Sequence, residues 1–507
     1  LYYGSGHLHQ ISLDDEVISD IERDKLHREI YRTQGKLASR YELDPLGRLK
    51  RQIAALNDLT QTETAKNAVT SAYAVKRSYG YDRTGNLTHS TDQRTGTTHF
   101  EYDKLGRITK AGNEVFAFDP AHNILSDHNS PTVPDNRLKT YNGTTYYYDD
   151  LGNLIHRELA DGEVQNYFYD LHDQLVKAEI FKKDGTKETW AYSYDALGRR
   201  IGKGRLKNGE VSETSFPHDL SGNDLENQTR FVWDGSHLLQ EIQPDGRYTY
   251  IYTNPDSYEP LAQVHNWTNE EGESGQQTHY FHCDQIGIPR EMTDKDGNLL
   301  WFGNYTGWGR LKEETKITDS AYQPFRLQNQ YADSETGLHY NFFRYYDPDA
   351  GRFVNQDPIG LWGGDNFYWF APNSSAWIDV LGLASIFEKL KITTSDGFLF
   401  KGFTVKAPFN IPVQRFGDLH LNSSRGDFWG LRIGTNKFIN RTFAAILPSW
   451  NPLTNYNSGV IPKGTKMKVG IIGPQGLKYP GGSLQFIVHS EEVQKVKSKK
   501  IKRKGKC

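Results

Sequence analysis

The sequence predicts a mostly β fold built from repeated hairpins, followed by a smaller domain of different character. Three observations predict it. The 507 residues include 30 Tyr and 47 Gly, and Tyr, Thr, Val and Phe between Gly, Asn and Asp turns favour strands. Short Tyr-Asp units recur along the first 200 residues. The net charge also changes sign at residue 384.

Each repeat unit places Asp and Gly between two strand-like segments, as in YDKLGRI at 102–108. Asp starts a turn by bonding the backbone ahead of it, and Gly supplies the positive φ that a tight hairpin needs. One unit cannot bury its own apolar face, so the hairpins must stack into a long, twisted sheet. Related units begin at Leu43, Tyr81, Tyr102, Phe118, Tyr148, Tyr169 and Tyr194.

Charge and composition narrow the possible functions. Residues 384–507 contain 21 Lys and Arg against 6 Asp and Glu, so the rest of the chain is strongly acidic although the net charge is only −3. An acidic body with a basic end indicates two functions, although each half could simply keep itself soluble. Two distant cysteines, Cys283 and Cys507, exclude a disulfide framework and a Cys-based zinc site.

Targeting signals are not evident in the sequence. No apolar run approaches the 18 residues of a membrane span, and the first residues, LYYGSGHLHQ, do not form a signal peptide. They read like the middle of a repeat, so we expect the chain to be a piece of a longer protein.

The stretch RYYDPDAGRFVNQDPIGLWGGDNFYWFAPNSSAWIDVLGLA at 344–384 resembles the C-terminal signature of Rhs/YD-repeat proteins, the shells that enclose polymorphic toxins. HYFHCDQIGIPREMTD at 279–294 is similar to another segment of that family. The resemblance implies a hollow β-shell over 1–343, an autoproteolysis region over 344–383, and a toxin domain over 384–507. For the last we expect a small α+β fold with one helix near 384–391.

Asp357 and Asp379 lie in the signature, 22 residues apart. Paired carboxylates in one pocket share a proton, so that one acts as acid and the other as base on a water molecule. The resemblance implies that these two cleave the Leu383–Ala384 bond, with Arg352 as a nearby charge that tunes them. Val380 and Ser374 stand where the family usually has Pro, which removes stiffness near the bond. Alternatively, both aspartates only initiate turns.

The C-terminal domain resembles the tuberculosis necrotizing toxin family of NAD glycohydrolases, through IPVQRFGDLH, GDFWGLRIGTNKFINRTFAAILP and YPGGSLQF. The resemblance implies that Arg415 and Arg441 bind the pyrophosphate of NAD, because the forked donors of arginine suit phosphate oxygens. Gln485 would orient the ribose or the attacking water in a reaction like glycoside hydrolysis. Either Phe428 or Trp429 would stack on the nicotinamide. NAD is then a substrate, and neither a cofactor nor a metal is expected.

Other chemistries stay open. The two arginines could pair with Asp418 and Asp427, leaving PGG as a simple hairpin turn. The basic tail would bind nucleic acid, and His420 with His489 and a Lys could form a metal-independent RNase pair. An ADP-ribosyltransferase needs a Glu-x-Glu acid, and only Glu491–Glu492 is near. In the shell, His279 would point away from His282 and Asp284 on a strand, which argues against a metal site there.

The family resemblance also implies partners. A producing cell needs an immunity protein, and delivery by a secretion apparatus, such as type VI, needs a spike or adaptor bound through an N-terminal region. The protein would be a secreted effector whose toxin, held in its own shell, acts in the target-cell cytoplasm. A structural or adhesive YD-repeat surface protein with an inert tail is the non-enzymatic alternative.

Overall fold

The computed structural model describes most of the chain before residue 384 and the strands that follow it. For parts of the last strands it describes the backbone alone. The described residues are 1–3, 7–56, 73–126, 132–207, 225–255, 257–269, 271–318, 321–383, 403–407, 410–416, 427–431, 455–471, 484–488 and 492–500. The chain divides into two compact units, Leu1–Glu388 and Lys389–Cys507.

The first unit begins with a ten-stranded antiparallel sheet in which each strand pairs with the next along the chain. Its strands are β1 (Gln10–Leu13), β2 (Glu16–Arg23), β3 (Glu29–Gln34), β4 (Leu37–Leu43), β5 (Leu49–Leu56), β6 (Tyr73–Tyr81), β7 (Leu87–Asp92), β8 (Gly96–Tyr102), β9 (Ile108–Ala111) and β10 (Glu114–Val115).

A fifteen-stranded sheet follows, again in chain order and antiparallel. Its strands are β11 (Thr140–Tyr141), β12 (Thr144–Tyr148), β13 (Leu154–Glu158), β14 (Val164–Tyr169), β15 (Leu175–Phe181), β16 (Lys187–Tyr194), β17 (Arg200–Leu206), β18 (Leu225–Asp234), β19 (His237–Gln243), β20 (Gly246–Tyr252), β21 (Pro260–Thr268), β22 (Ser274–Cys283), β23 (Pro289–Thr293), β24 (Leu299–Tyr305) and β25 (Leu311–Lys316).

Residues 321–383, here called the inner segment, complete the first unit. They contain a small four-stranded sheet and a 3₁₀ turn at Gly360–Gly363, and most of their side chains are buried. A second 3₁₀ turn, Pro134–Asn136, precedes the fifteen-stranded sheet. The strands of the small sheet are β26 (Tyr331–Ala332), β27 (His339–Asn341), β28 (Arg344–Asp347) and β29 (Arg352–Phe353).

The second unit contains one seven-stranded antiparallel sheet, in the order β30-β34-β35-β32-β31-β33-β36. Its strands are β30 (Phe403–Lys406), β31 (Ile411–Phe416), β32 (Asp427–Leu431), β33 (Asn455–Ile461), β34 (Lys466–Ile471), β35 (Leu484–Val488) and β36 (Gln494–Lys500). The predicted mostly β fold is confirmed, while the helix predicted near 384–391 lies outside the described residues. In the part of the chain that the structure describes, no helix is long and apolar enough to cross a membrane.

The repeated turns work through the Asp side chain, as predicted. Asp44 Oδ1 accepts the backbone N–H groups of Leu46 and Arg48, both at 2.9 Å, and Arg48 Nε donates to Asp44 Oδ2 at 2.7 Å. Gly47 follows with φ +84°, a conformation that other residues adopt at a cost. The same Asp side-chain bonds recur at Asp24, Asp103 and Asp195, with His27 at φ +60° in the place of the glycine after Asp24.

In several repeats a tyrosine joins the unit to the one before it. Tyr102 Oη donates to the carbonyl of Leu87 at 2.9 Å, and Tyr169 Oη donates in the same way to the carbonyl of Leu154 at 2.9 Å. The ring thus fills the core while its hydroxyl is satisfied, as buried tyrosines require. Further tyrosines of this kind are Tyr81, Tyr194, Tyr252 and Tyr305.

Buried ion pairs attach the inner segment to the large sheet. Arg157 of β13 pairs with Asp347 at 3.1 Å and donates to the Thr336 carbonyl at 2.6 Å. Lys203 of β17 reaches Asp333 and Glu335, both at 2.9 Å. Buried charges are tolerated only when they are paired, so these contacts fix where the inner segment lies.

We predict that Arg157→Met destabilises the first unit by about 3–5 kcal/mol, because it leaves Asp347 buried without the cation that pairs with it. Denaturant unfolding of the full chain measures the change. Lys50→Met is the matched control, since Lys50 and Glu42 form an exposed pair that contributes at most about 1 kcal/mol. Equal losses in the two variants would contradict the structural role of the buried pair.

Candidate active site

The two junction aspartates meet at one buried arginine. Arg344 begins β28 and is fully buried. Its Nη2 atom lies 3.2 Å from Asp357 Oδ2 and 3.6 Å from Asp379 Oδ2, so both carboxylates face the same nitrogen. The guanidinium also donates through Nη1 to the Phe367 carbonyl at 2.9 Å and through Nε to the Gly382 carbonyl. The Phe353 ring lies against it, with the guanidinium carbon 3.5 Å from the ring centre.

Each aspartate is held by the backbone of its own turn. Asp357 Oδ1 accepts the Ile359 N–H at 3.0 Å, and the Gly360 N–H donates to the Asp357 carbonyl at 2.8 Å. Asp379 Oδ1 accepts the N–H groups of Leu381 at 3.3 Å and Leu383 at 3.0 Å. These are the turns expected from the alternative interpretation, but both aspartates also present their other oxygen to Arg344.

Burial governs the electrostatics of this pair. It raises the pKa of Asp357 to about 6, against the opposing effects of Arg344 and the Ile359 N–H. It also raises the pKa of Asp379, which Arg344 and the backbone N–H groups oppose. Asp379 Oδ2 is buried and accepts no hydrogen bond from the described residues. One cation beside two carboxyl groups favours a site with one proton and one negative charge on the pair.

The sequence assigned the tuning charge to the wrong arginine. Arg352 Nη1 donates to Asn123 Oδ1 at 3.2 Å, its Nη2 donates to the Asn136 carbonyl, and it stacks on Tyr368 with 4.8 Å to the ring centre. Arg352 therefore anchors the loop before the fifteen-stranded sheet. Arg344 occupies the position predicted for Arg352, because strand β28 directs the Arg344 side chain towards both carboxylates.

The predicted scissile bond begins beside Asp379. Leu383 is 8% exposed, and its N–H donates to Asp379 as described above. Ala384, on the other side of the bond, lies outside the described residues. Leu383, on the amino-terminal side of the bond, therefore lies in the hydrogen-bonded turn of Asp379, four residues after that candidate catalytic residue.

The histidines of β22 are internal hydrogen-bonding groups. His282 Nε2 lies 3.0 Å from Thr293 Oγ1, and His279 Nδ1 lies 3.5 Å from Gln263 Nε2. Burial lowers the pKa of both imidazoles, which keeps them neutral. No group of three possible metal ligands occurs within the described residues.

The candidate residues for NAD chemistry fall on three neighbouring strands, where the backbone is described. Arg415 lies on β31, Phe428 and Trp429 on β32, and Gln485 on β35. Gly430 of β32 pairs with Gln485 on one side and with Gln414 on the other. The residues Arg441, His420, His489, Asp418 and Glu491 lie outside the described residues, so their predicted roles stay predictions.

Sequence reasoning missed Arg344 and the asparagines around it. Asn341 Nδ2 donates to the Asp379 carbonyl at 2.9 Å, and Asn329 Nδ2 donates to the Val380 carbonyl. Arg344 was visible as the first residue of the RYYDP motif, yet nothing in its spacing distinguishes it from Arg352. The asparagines lie 38 and 51 residues from their partners and carry no local signal.

Comparison with known proteins agrees with this architecture. Residues 25–216 match the teneurin YD-shell family and residues 278–315 match the RHS protein family. The TcdB2-TccC3-Cdc42 crystal structure has a similar fold, with a TM-score of 0.50 and 17% identity over 76% of this chain and 20% of the other. The first unit is therefore a YD-repeat shell.

Curated relatives extend the similarity. The double-stranded DNA deaminase toxin A of Burkholderia cenocepacia is 39% identical over 404 residues, which cover 76% of this chain and 27% of the relative. The probable deoxyribonuclease RhsA of Dickeya dadantii is 28% identical over 76% of this chain and 25% of its own length. The matches over residues 25–216 and 278–315 identify the chain as an Rhs/YD-repeat protein. It spans about a quarter of the length of these relatives.

Proposed function

We propose that this chain combines the shell of a polymorphic toxin with the toxin domain itself, and that it cuts itself between Leu383 and Ala384. One observation carries the proposal, namely that Arg344 Nη2 lies 3.2 Å from Asp357 and 3.6 Å from Asp379, next to the predicted bond. A buried pair of carboxyl groups that holds one proton is equipped for acid–base hydrolysis of an amide.

The roles follow from the surroundings of each carboxyl group. Asp357, whose pKa is raised to about 6, holds the shared proton and gives it to the departing amine. Asp379 accepts two N–H groups, which favour its charged form, and it takes the proton from water. Water adds across the amide, leaving a carboxylate on Leu383 and an amine on Ala384. Arg344 balances the charge that remains on the pair.

The second part of the proposal is that residues 384–507 are an enzymatic toxin. The relatives' names, a DNA deaminase toxin and a probable deoxyribonuclease, support an enzyme, and the motif resemblance favours NAD hydrolysis. The backbone supports grouping Arg415, Trp429 and Gln485, since their strands are neighbours. Attack on DNA or RNA is the second candidate, supported by those names and by the basic charge of this domain.

Partners and location follow from the same proposal. A cell that makes this toxin would need an immunity protein, and the toxin would act in the cytoplasm of a target cell after secretion. A spike or adaptor of a secretion apparatus would bind the protein and deliver it.

We predict that Asp357→Asn and Asp379→Asn each slow self-cleavage at least 100-fold, since each removes one of the two acid–base groups. Purified full-length chain is followed by gel and intact mass. The matched control is Asp365→Asn, an exposed aspartate of the inner segment, which should cleave at the wild-type rate. Unchanged cleavage in Asp357→Asn would exclude the aspartate pair.

The pH dependence gives a separate prediction. Because Asp357 holds its proton below a pKa of about 6, the rate should fall about tenfold per pH unit above pH 6. At lower pH the rate should fall again, as Asp379 becomes protonated. Cleavage half-times are measured from pH 4 to 8 in the full-length chain. A rate that rises steadily towards pH 8 would contradict the assignment of Asp357 as the acid.

For the toxin, we predict that the cleaved full-length chain releases nicotinamide from NAD and that Gln485→Ala reduces the release at least tenfold. Free nicotinamide is quantified by chromatography, beside the same protein incubated with double-stranded DNA and with tRNA. If NAD stays intact while the DNA or tRNA is altered, the NAD hydrolysis proposal fails and attack on nucleic acid takes its place.

A further inference from the structure

The cleavage segment is held by an unbroken run of hydrogen bonds. Four successive carbonyl groups, from Asp379 to Gly382, each accept a hydrogen bond from another part of the inner segment. The donors are Asn341 Nδ2 to Asp379 at 2.9 Å, Asn329 Nδ2 to Val380, the Phe343 N–H to Leu381 at 3.3 Å, and Arg344 Nε to Gly382. Among the described residues, the next carbonyl, that of Leu383, accepts none.

The donors come from an unusual turn. Strands β27 and β28 are joined by Phe342 and Phe343, and Phe342 has φ +56°. Two-residue hairpin turns need such a conformation, and Gly normally supplies it. A bulky residue there holds a strained backbone conformation. The turn places Asn341, the Phe343 N–H and Arg344 in a row that faces the cleavage segment.

The segment approaches this row so closely that a side chain is excluded. Gly382 has φ +63°, and a Cβ atom there would lie 2.5 Å from the Asn341 carbonyl oxygen. The side chains on either side, Leu381 and Leu383, are each 8% exposed. The segment therefore occupies a fitted peptide groove, through its backbone and through its apolar side chains.

We infer that Asn329, Asn341, the Phe343 N–H and Arg344 form a carbonyl clamp that selects residues 379–383 as the peptide substrate and keeps them bound after the cut. This inference rests on the proposed self-cleavage. All four clamped carbonyls lie before the Leu383–Ala384 bond, so hydrolysis breaks none of these hydrogen bonds. The groove stays filled by its own product, and the site acts once, on its own chain, without cleaving other peptides.

The two asparagines are positioning residues in this scheme. Neither contacts the Asp357 carboxylate in the described hydrogen bonds, and each holds one carbonyl of the segment through its amide nitrogen. Fixing these carbonyls sets which bond lies beside Asp379. Loss of a positioning group should therefore change where the chain is cut as well as how fast, because neighbouring bonds can then enter the site.

The first test uses Asn341→Leu and Gly382→Ala in the full-length chain. Each should slow cleavage about 10–100-fold, which corresponds to one lost hydrogen bond or a displaced backbone. Intact mass should show cuts at bonds beside Leu383–Ala384. The matched control is Gly337→Ala, which has a similar φ of +73° but open space around the added Cβ, and should cleave within about threefold of wild type at the original bond. Wild-type rate and position in both variants would overturn the clamp.

The second test concerns single action. A synthetic peptide of residues 374–390 is added to cleaved wild-type protein, and we expect it to stay intact while the protein's own cleavage has gone to completion. Repeated cleavage of the peptide would overturn the inference that the product fills the groove.

Hydrogen exchange separates the clamp from the cleavage chemistry. In Asp357→Asn, the Leu381 and Leu383 amides should stay protected, and adding Asn341→Leu should raise their exchange at least tenfold. If wild-type protein does not cut itself but this protection behaves as expected, the proposed function fails, and only the hydrogen-bonded binding of residues 379–383 in the groove stands. If wild-type protein cuts itself but these amides exchange freely, the clamp fails alone.

Discussion

The hydrogen bond from the repeat tyrosine to a backbone carbonyl of the preceding repeat, made in six of the described repeats, is the contact on which the rest of the structure depends. Tyr102 and Tyr169 are examples, at 2.9 Å each. A hairpin alone exposes its apolar face and is marginally stable in water. The tyrosine covers that face with its ring and ties the turn to its neighbour through its hydroxyl. Repetition of this unit produces the long antiparallel sheets of ten and fifteen strands.

Basic side chains of the fifteen-stranded sheet form buried ion pairs with carboxylates of the inner segment. Arg157 with Asp347, and Lys203 with Asp333 and Glu335, are pairs of this kind. Removing ions from water is costly, so each pair tolerates very few arrangements. We attribute the fixed position of the inner segment to this intolerance more than to any net gain in stability. A precisely placed segment is what a site built from distant residues needs.

The cost of burying charge also determines the properties of the candidate active site. Arg344 is buried beside two carboxyl groups where one would balance its charge, which favours a proton bound to the pair. The proton is the means of amide hydrolysis in our proposal, and the neighbouring clamp supplies the substrate. A site that binds its substrate through the backbone of residues 379–382 does not depend on particular side chains there. This is consistent with Val380, which stands where the family usually has Pro.

The sequence by itself determined the repeats, the Asp turns, the mostly β fold and the two junction aspartates, because these are local patterns or a long continuous motif. Only the tertiary structure decided that Arg344 and not Arg352 contacts the aspartates, since both arginines begin short strands in the same stretch. It also decided the roles of Asn329 and Asn341, whose partners lie 51 and 38 residues away. These contacts form only once buried ion pairs with the fifteen-stranded sheet have fixed the position of the inner segment. No local sequence pattern encodes that position.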